Sequence, residues 1–201
     1  MSETSLLLAT TNPGKVREIR EALKGLPLRV LGLGDVLPGL SFRERGASFL
    51  ENARAKSLFY SRKWNGLTLA EDSGLEIDAL GGAPGVRSAR FSSPRPTDDR
   101  NIHKVLRRLR GVPEKDRGAG FSSAIVLARD GWVIREIRGG VRGRIAQTPR
   151  GRNGFGYDPL FYYPPLRKTF AELGPGEKNE VSHRGRALRK LKKFLAVHIK
   201  D

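Results

Sequence analysis

The sequence predicts an α/β fold with a mixed β-sheet. Stretches with helix and strand periodicity alternate along the chain, which is typical of α/β proteins. Two apolar runs joined by Asp130-Gly131 carry a strong hairpin signal, so part of the sheet should be antiparallel. No internal repeat or low-complexity tract appears, and we expect residues 1–201 to form a single domain.

The first half of the chain opens with a predicted strand and helix. Residues 5–9 are apolar, and the segment that follows places apolar residues at helical spacing. Asn12 is a good helix cap and Pro13 a good first helical residue, so the helix should begin there. The elements expected next are a strand over 28–33, a loop over 35–46, a helix over 48–64 capped by Ser48, a strand over 66–70 and, from 71, a turn that leads back into extended chain.

The second half begins with residues 81–91, which carry too many turn residues for regular structure. The hairpin should occupy residues 121–145, with its turn at Asp130-Gly131. The other elements expected are a helix over 97–110, a glycine-rich loop over 149–159 and a last helix over about 182–199, with Leu188, Leu191, Leu195 and Ile199 along one face.

The composition describes a globular protein without a membrane span. With 38% hydrophobic and 29% charged residues, the chain resembles ordinary soluble domains. No apolar run approaches the roughly 20 residues that a membrane helix needs. The N-terminal residues also lack the pattern of a secretory signal. We therefore expect a cytoplasmic protein with no membrane partner.

The residue types present also limit the nucleophiles and metals that the protein could use. The absence of cysteine excludes disulfides, thiolate nucleophiles and cysteine-bound zinc, and the three histidines are far apart in sequence. Any metal would bind carboxylate oxygens, which favours Mg²⁺, with Mn²⁺ as a substitute. The net charge of +17 is compatible with nucleic-acid binding, with attraction of small polyanions or with an arginine-rich proteome, and does not choose among them.

The segment "TTNPGK", between a predicted strand and a predicted helix, is the first candidate site. It is not a P-loop, because no glycine stands five residues before Gly14 and Val16 replaces the required Ser or Thr. First-turn amides of a helix bind anions, and Lys15 adds a full charge. An ordinary capped helix start is the alternative. The candidate phosphate-binding residues are Thr10, Thr11, Asn12, Pro13, Gly14 and Lys15.

The segment "LAEDSGLEID" is the second. Glu71 and Asp72 could hold a hard cation or activate water, although strand alternation should send their side chains to opposite faces. Asn52 and Lys56 share one face of the predicted helix, and Glu44 lies in the loop before it. The Glu44 carboxylate and the Lys56 amine, entering one cleft, would suit a metal-bound phosphate. Solvated acidic and helical surfaces are the alternatives.

Two later segments could recognise a base. In "GFGYDP", Phe155 and Tyr157 offer rings for stacking and Asp158 an acceptor, unless they are simply buried in a structural turn. In "EKNEVSHRGRA", donor side chains from Lys178, His183 and Arg184 precede or begin the last helix, where a capping role is the alternative. A triad of Ser73, His183 and Asp72 is discounted, because no G-x-S-x-G elbow occurs.

In order and wording, five segments resemble the inosine triphosphate pyrophosphatase family, over about residues 6–191. They are "LLLATTNPGKVREI", "SFLENARAKS", "LAEDSGLEIDALGGAPGVRSARFS", "GRNGFGYDPLF" and "AELGPGEKNEVSHRGRAL". The resemblance implies an enzyme that cleanses the nucleotide pool by hydrolysing ITP, dITP and XTP to the monophosphate and pyrophosphate. It also implies Mg²⁺ dependence, a homodimer, and a long twisted mixed sheet flanked by helices, in two lobes with a central active-site cleft.

The resemblance also assigns roles to residues. The triphosphate loop falls on Thr10 to Lys15, with Lys56 as a further phosphate contact. Asp72 takes the position of metal ligand and proton acceptor, and Glu44 that of a second metal ligand. The remaining substrate contacts fall on Ser73, Phe155, Gly156, Tyr157, Asp158, Lys178, His183 and Arg184.

This chain departs from the family pattern at two positions. Thr11 stands where many members have glycine, which could stiffen the loop. Glu71 replaces the first aspartate of the usual acidic pair. Because its side chain should point away from Asp72, we expect little catalytic consequence from Glu71.

Three other functions remain as alternatives. One is a pyrophosphatase for modified pyrimidine triphosphates, against which the "SHRGRA" and "GFGYD" segments argue. Another is a nucleic-acid-binding protein that uses the basic face of the last helix, with Arg186, Arg189, Lys190 and Lys193; the resemblance makes nucleic acid the less favoured partner. A catalytically dead nucleotide sensor would require loss of Asp72 or Lys15, and both are present.

Overall fold

A computed structural model describes residues 4–199. Helices and strands alternate along the chain, as predicted. The strands are β1 (Thr4–Leu8), β2 (Leu28–Gly32), β3 (Leu67–Ile77), β4 (Gly118–Arg129), β5 (Trp132–Ile145), β6 (Phe161–Tyr163) and β7 (Lys168–Thr169). The α-helices are α1 (Pro13–Leu23), α2 (Leu33–Val36), α3 (Phe49–Ser61), α4 (Asp98–Arg108), α5 (Pro175–Val181) and α6 (His183–His198). Short 3₁₀ helices span Asp78–Leu80, Gly85–Arg90, Glu114–Asp116, Pro164–Leu166 and Phe170–Glu172.

The seven strands form one mixed sheet in the order β2-β1-β3-β4-β5-β6-β7. β1 pairs in parallel with β2 and with β3, whereas β6 pairs antiparallel with β5 and with β7. The turn between β4 and β5 places both Asp130 and Gly131 at positive φ, as a two-residue hairpin requires. The predicted α/β fold with a mixed sheet is therefore confirmed.

The described residues fall into two compact units. Unit 1 consists of residues 4–72, 123–139 and 184–199, and unit 2 of residues 73–122 and 140–183. Strands β3, β4 and β5 each contribute residues to both units. The prediction of a single domain over 1–201 and that of a central cleft stay predictions.

Unit 1 buries both faces of its part of the sheet. Leu6 and Leu8 of β1 pack on one face with α1 and α6, among them the predicted apolar residues Leu188, Leu191 and Leu195. The alternate residue of the strand, Leu7, packs on the other face with Tyr60 of α3. These two layers hold the start of α1, the end of β1 and the start of α6 in place. Unit 1 can therefore position charged groups on rigid elements.

Unit 2 has its own aromatic core. Phe161 and Phe170 are fully buried, and their ring centroids lie 4.7 Å apart. Helix α4 contributes Ile102 and Val105 to the same cluster. The loop over 149–159 is anchored to this core by Tyr157. Within residues 4–199, no helix is both long and apolar enough to cross a membrane.

Most predicted elements are confirmed, including the caps at Asn12 and Ser48, whose side chains accept backbone N–H groups of α1 and α3. The predicted turn from residue 71 is wrong, because β3 continues without interruption through Ile77. β3 is an interior strand flanked by β1 and β4, so pairing on both edges outweighs the weak strand propensity of Ser73-Gly74. Helices α2 and α5 were not predicted.

Candidate active site

The predicted phosphate turn lies at the N-terminus of α1 in unit 1. The Asn12 side chain accepts the Lys15 N–H at 3.0 Å, and the Thr10 hydroxyl accepts the Asn12 N–H at 3.2 Å. Gly14 is buried, while Thr11 is exposed. The helix N-terminus and the side chain of Lys15 thus supply positive charge at one end of β1.

Lys15 belongs to a network of buried charges. Its ammonium lies 2.8 Å from Oε2 of Glu71. The other oxygen, Oε1, accepts the Arg184 Nε–H at 3.1 Å and the Ser123 hydroxyl at 2.9 Å. Arg184 also donates to Glu18 at 2.5 Å. Two cations and two carboxylates therefore alternate from α1 through β3 to the start of α6.

Asp72, like its neighbour Glu71, is buried. One carboxylate oxygen of Asp72 accepts the Asn52 amide at 2.9 Å. Burial raises the pKa of Asp72 above its ordinary value, and the nearby Glu44 carboxylate adds to the increase. Lys15, the Asn52 hydrogen bond and Lys56 act in the opposite direction. A carboxyl with a raised pKa is a better proton acceptor than an ordinary aspartate.

Lys56 joins these groups from α3. Its ammonium pairs with the Glu44 carboxylate and donates to the Glu71 carbonyl at 3.0 Å. The predicted placement of Lys56 and Asn52 on one helix face is confirmed by these contacts, since both point toward the strand that carries Asp72.

The residues around Asp72 fit a magnesium ion. Asp72 and Glu44 are hard oxygen donors, and Mg²⁺ in proteins commonly uses one or two carboxylates together with substrate phosphates. Among residues 4–199, no group of three or more His, Asp or Glu side chains has the arrangement of an all-protein metal cage. Asp72 and Glu44 are therefore the residues at this position that could hold a divalent cation.

In unit 2, the predicted base loop is built around a buried ion pair. The Lys178 ammonium donates to Oδ2 of Asp158 at 2.5 Å, and the Phe155 N–H donates to the same oxygen at 2.9 Å. Lys178 also lies 4.7 Å from the centre of the Phe155 ring. Gly154 has a positive φ, and a Cβ there would collide with the Asp158 carboxylate, so only glycine is tolerated.

Two other predicted base contacts lie within the core of unit 2. The Tyr157 hydroxyl donates to the Ser88 carbonyl at 2.8 Å, and burial, with the charge of Asp98, raises the pKa of Tyr157. The His183 ring stacks on Phe121 with centroids 4.6 Å apart. The Tyr157 side chain is therefore buried in a structural turn, which was the alternative to base stacking in the sequence analysis. Phe155 is only partly buried.

The structure brings the predicted residues together in two groups. Lys15, Glu44, Lys56, Asp72 and Arg184 gather in unit 1 with the turn over 10–15. Phe155, Asp158 and Lys178 gather in unit 2. Although His183 and Arg184 are consecutive, the His183 ring stacks on Phe121 in unit 2, whereas Arg184 pairs with Glu71 in unit 1.

Three polar residues of unit 1 were missing from the predicted site. For Asn52, the sequence predicts only a place beside Lys56 on one face of its helix. Glu18 could have been found, because it lies three residues after Lys15 and shares its helix face. Ser123 carried no signal, since a serine inside an apolar strand has no distinctive spacing.

Comparison with known proteins gives many relatives at similar identity. The chain is 45% identical over 186 residues to a protein of Geobacillus kaustophilus named dITP/XTP pyrophosphatase, covering 92% of this chain and 91% of the relative. Proteins of the same name from Thermus thermophilus and Exiguobacterium are each 46% identical, covering 92% and 97% of this chain and 89% and 98% of the relatives.

Solved structures agree with the sequence relatives. A HAM1 protein from Coxiella burnetii superposes with a TM-score of 0.87 at 39% identity, covering 96% of this chain and 98% of that one. The Ham1 protein of Staphylococcus aureus gives a TM-score of 0.86 at 36% identity, with the same coverage. The Ham1 family model matches residues 6–194. The family resemblance predicted from the sequence is thus confirmed, and the chain belongs to the Ham1 family.

Proposed function

We propose that this protein is a nucleoside triphosphate pyrophosphatase that removes noncanonical purine nucleotides from the nucleotide pool. Its substrates are ITP, dITP and XTP, and its products are the nucleoside monophosphate and pyrophosphate. The observation that carries the proposal is the cluster of charges around Asp72. It contains the ion pairs of Lys15 with Glu71 and of Lys56 with Glu44, and it lies beside the N-terminus of α1. Such a cluster suits a triphosphate and a divalent cation. The names of the relatives point to the same reaction.

The phosphate contacts belong to unit 1. The turn over Thr10 to Lys15 presents the positive end of α1 and the Lys15 ammonium to phosphate oxygens, and Lys56 adds a second ammonium. Asp72 and Glu44 would hold Mg²⁺, or Mn²⁺ in its place. A bound cation would neutralise the negative charge that develops on the phosphate oxygens.

The reaction needs one proton acceptor and no covalent intermediate. Asp72 orients a water molecule and takes its proton as the water oxygen attacks the α-phosphorus. The bond between the α-phosphorus and its bridging oxygen breaks, and pyrophosphate leaves. The raised pKa of Asp72 favours this role. Lys15 and Lys56 stabilise the charge on the leaving pyrophosphate by direct contact.

The base-binding loop is Phe155, Gly156, Tyr157 and Asp158, and the remaining base and substrate contacts are Ser73, Lys178, His183 and Arg184. Phe155 stacks on the base, while Gly156 and Tyr157 act through their backbone, since the Tyr157 ring is buried. Hypoxanthine and xanthine carry a 6-keto acceptor and an N1–H donor, and adenine has the reverse. A donor from His183 to O6 and an acceptor at Asp158 would leave ATP with unpaired buried groups, which can cost several powers of ten in rate. GTP must then be rejected at its 2-amino group.

We further propose that the enzyme acts as a homodimer in the cytoplasm, as the family resemblance implies. Equilibrium sedimentation at micromolar protein should give about twice the 22.2 kDa chain mass. A single-chain mass at that concentration would refute the dimer.

The test of the reaction is a panel of ITP, dITP, XTP, GTP and ATP at equal concentrations with Mg²⁺, measuring pyrophosphate and orthophosphate separately. We expect pyrophosphate from the first three, little from the other two, and loss of release in Asp72→Asn. Orthophosphate alone would mean that another bond is cleaved. No release from any nucleotide would refute the proposal. A salt-sensitive affinity for single-stranded DNA or RNA would then favour nucleic-acid binding.

A further inference from the structure

We propose that Glu71 is a positioning residue, whose buried carboxylate holds the Lys15 ammonium and the Arg184 guanidinium in the orientation that the substrate requires. This inference rests on the proposed function, because it assigns substrate contacts to those two cations. It also reverses the expectation from the sequence that Glu71 has little catalytic consequence.

The contacts of Glu71 carry the inference. Its side chain is fully buried, and each of its carboxylate oxygens lies within ion-pair distance of a cation. Oε2 faces Lys15 at 2.8 Å, and Oε1 faces Arg184 at 3.1 Å. The Ser123 hydroxyl donates to Oε1 at 2.9 Å, which orients the carboxylate itself. Through its backbone carbonyl, Glu71 also accepts Lys56 at 3.0 Å. One residue therefore contacts three of the cations assigned to the substrate.

The balance of charge explains why a carboxylate is required at this point. Lys15, Glu71, Arg184 and Glu18 alternate in sign, and their side chains are 15%, 0%, 3% and 12% exposed. Without the charge on Glu71, Lys15 would lose the carboxylate that lies 2.8 Å from its ammonium. A buried cation that loses its partner moves toward water or another charge. Displacement of a phosphate contact by about 1 Å can cost roughly 100-fold in rate.

The length of the Glu71 side chain matters as well. The family pattern usually has aspartate at this position, which is shorter by one C–C bond of about 1.5 Å. Distances of 2.8–3.1 Å to Lys15, Ser123 and Arg184 leave no slack for a carboxylate that withdraws by that amount. Glu71→Asp should therefore keep the charge but lose part of the geometry.

The experiment compares Glu71→Gln and Glu71→Asp with the wild-type enzyme, using ITP hydrolysis and calorimetric binding of inorganic tripolyphosphate. We expect kcat to fall about 100-fold in Glu71→Gln and about 10-fold in Glu71→Asp. Tripolyphosphate affinity should rise severalfold, because the network of Lys15, Glu71, Arg184 and Glu18 changes from neutral to a net charge of +1. A general loss of structure would instead weaken binding together with kcat, and that result would overturn the inference.

A double-mutant cycle tests whether Glu71 acts through Lys15. In a Lys15→Met background, Glu71→Gln should lower kcat by no more than about fivefold, the remainder reflecting Arg184. If the two effects multiply in full, the inference is wrong. Should Glu71→Gln fail to fold, Glu71→Asp completes the same cycle, with its effect on kcat expected to shrink to about twofold in the Lys15→Met background.

Glu76→Gln is the matched control. Glu76 lies on the same strand and accepts the Ser122 hydroxyl at 2.6 Å, as Glu71 accepts that of Ser123. Its substitution should leave kcat and KM within twofold of wild type. An equal loss in both variants would overturn the inference.

The two proposals can fail separately. An active wild type with an unaffected Glu71→Gln variant refutes only the positioning role. If the wild type hydrolyses no triphosphate, the proposed function is wrong, but tripolyphosphate binding still tests whether Glu71 positions Lys15. Tighter binding in Glu71→Gln that disappears in the Lys15→Met background supports it, and unchanged binding overturns it.

Discussion

Units 1 and 2 both bury ionised side chains, but they do so in different ways. Unit 1 contains an extended alternation of carboxylates and cations, with Asp72 and Lys56 beside the Glu71 network. In unit 2, the buried pair of Lys178 with Asp158 lies against the Phe155 ring. An extended charge cluster can exchange partners with a polyanion and a cation. An ion pair beside an aromatic ring instead shapes a loop, which suits recognition of an uncharged base.

The largest expected effect is on catalysis by unit 1, where the charge of Asp72 serves the reaction and does not stabilise the fold. Asp72→Asn should lower kcat by about 1,000-fold or more without lowering the free energy of unfolding at pH 7. Because burial raises the pKa of Asp72, ionisation of this carboxyl is disfavoured in the folded state, and the amide removes that cost. Pyrophosphate release and urea denaturation measure the two quantities. An unfolding free energy lower by more than about 1 kcal/mol would contradict the contrast.

The same substitution in unit 2 should have its main effect on stability. Asp158→Asn leaves the Lys178 ammonium, 5% exposed, without its carboxylate. Breaking such a pair should cost about 3 kcal/mol of unfolding free energy. Urea denaturation at pH 7 checks this.

The control for Asp158→Asn is a double variant that also carries Lys178→Met, which removes the unpaired charge and should recover part of the loss. A single variant as stable as wild type would mean that the pair in unit 2 is not structural.

A smaller effect is expected from the aromatic ring of the base loop. Phe155→Leu should raise KM for ITP about fivefold, or about 1 kcal/mol, with kcat within twofold, because stacking is lost and the chemistry is not. Tripolyphosphate affinity should not change. Steady-state kinetics and calorimetry measure both.

Phe91→Leu provides a matched control for Phe155→Leu, since Lys104 lies over the Phe91 ring at 4.5 Å, much as Lys178 lies over Phe155 at 4.7 Å. Its KM should equal that of wild type. A similar rise in both variants would remove the special role of Phe155.

The smallest effect concerns an exposed pair in unit 2. Arg142 donates two hydrogen bonds to Asp78, which lowers the pKa of Asp78 below its ordinary value of 3.8. A lowered pKa means that the stabilisation is present above that ordinary value and is lost as the pH falls through the folded-state pKa. Asp78→Asn should therefore cost about 0.5 kcal/mol at pH 7 and less with increasing acidity or salt. Denaturation at pH 7 and pH 3 tests this, and a cost that grows in acid would contradict it.

Local chemistry made several elements predictable. Helix caps depend on residues within one turn, and Thr97 accepts the Arg100 N–H as a cap should. The hairpin depends on two residues that adopt positive φ, and Asp130-Gly131 meets that requirement without contacts from distant parts of the chain. Continuation of β3 past residue 71 was not predictable in this way, because its extended conformation is maintained by neighbouring strands.

The sequence by itself determined the α/β class, the order of the longer helices and strands, the family and the residue types of the candidate site, because these depend on periodicity, local turn chemistry and short motifs. Only the tertiary structure decided what those residues touch. Ser123 and Arg184 lie 52 and 113 residues from Glu71 along the chain, yet both bond to its carboxylate. No local preference encodes such contacts. They arise because packing of the sheet against α1 and α6 places the three segments together, and a buried carboxylate must then find its partners among them.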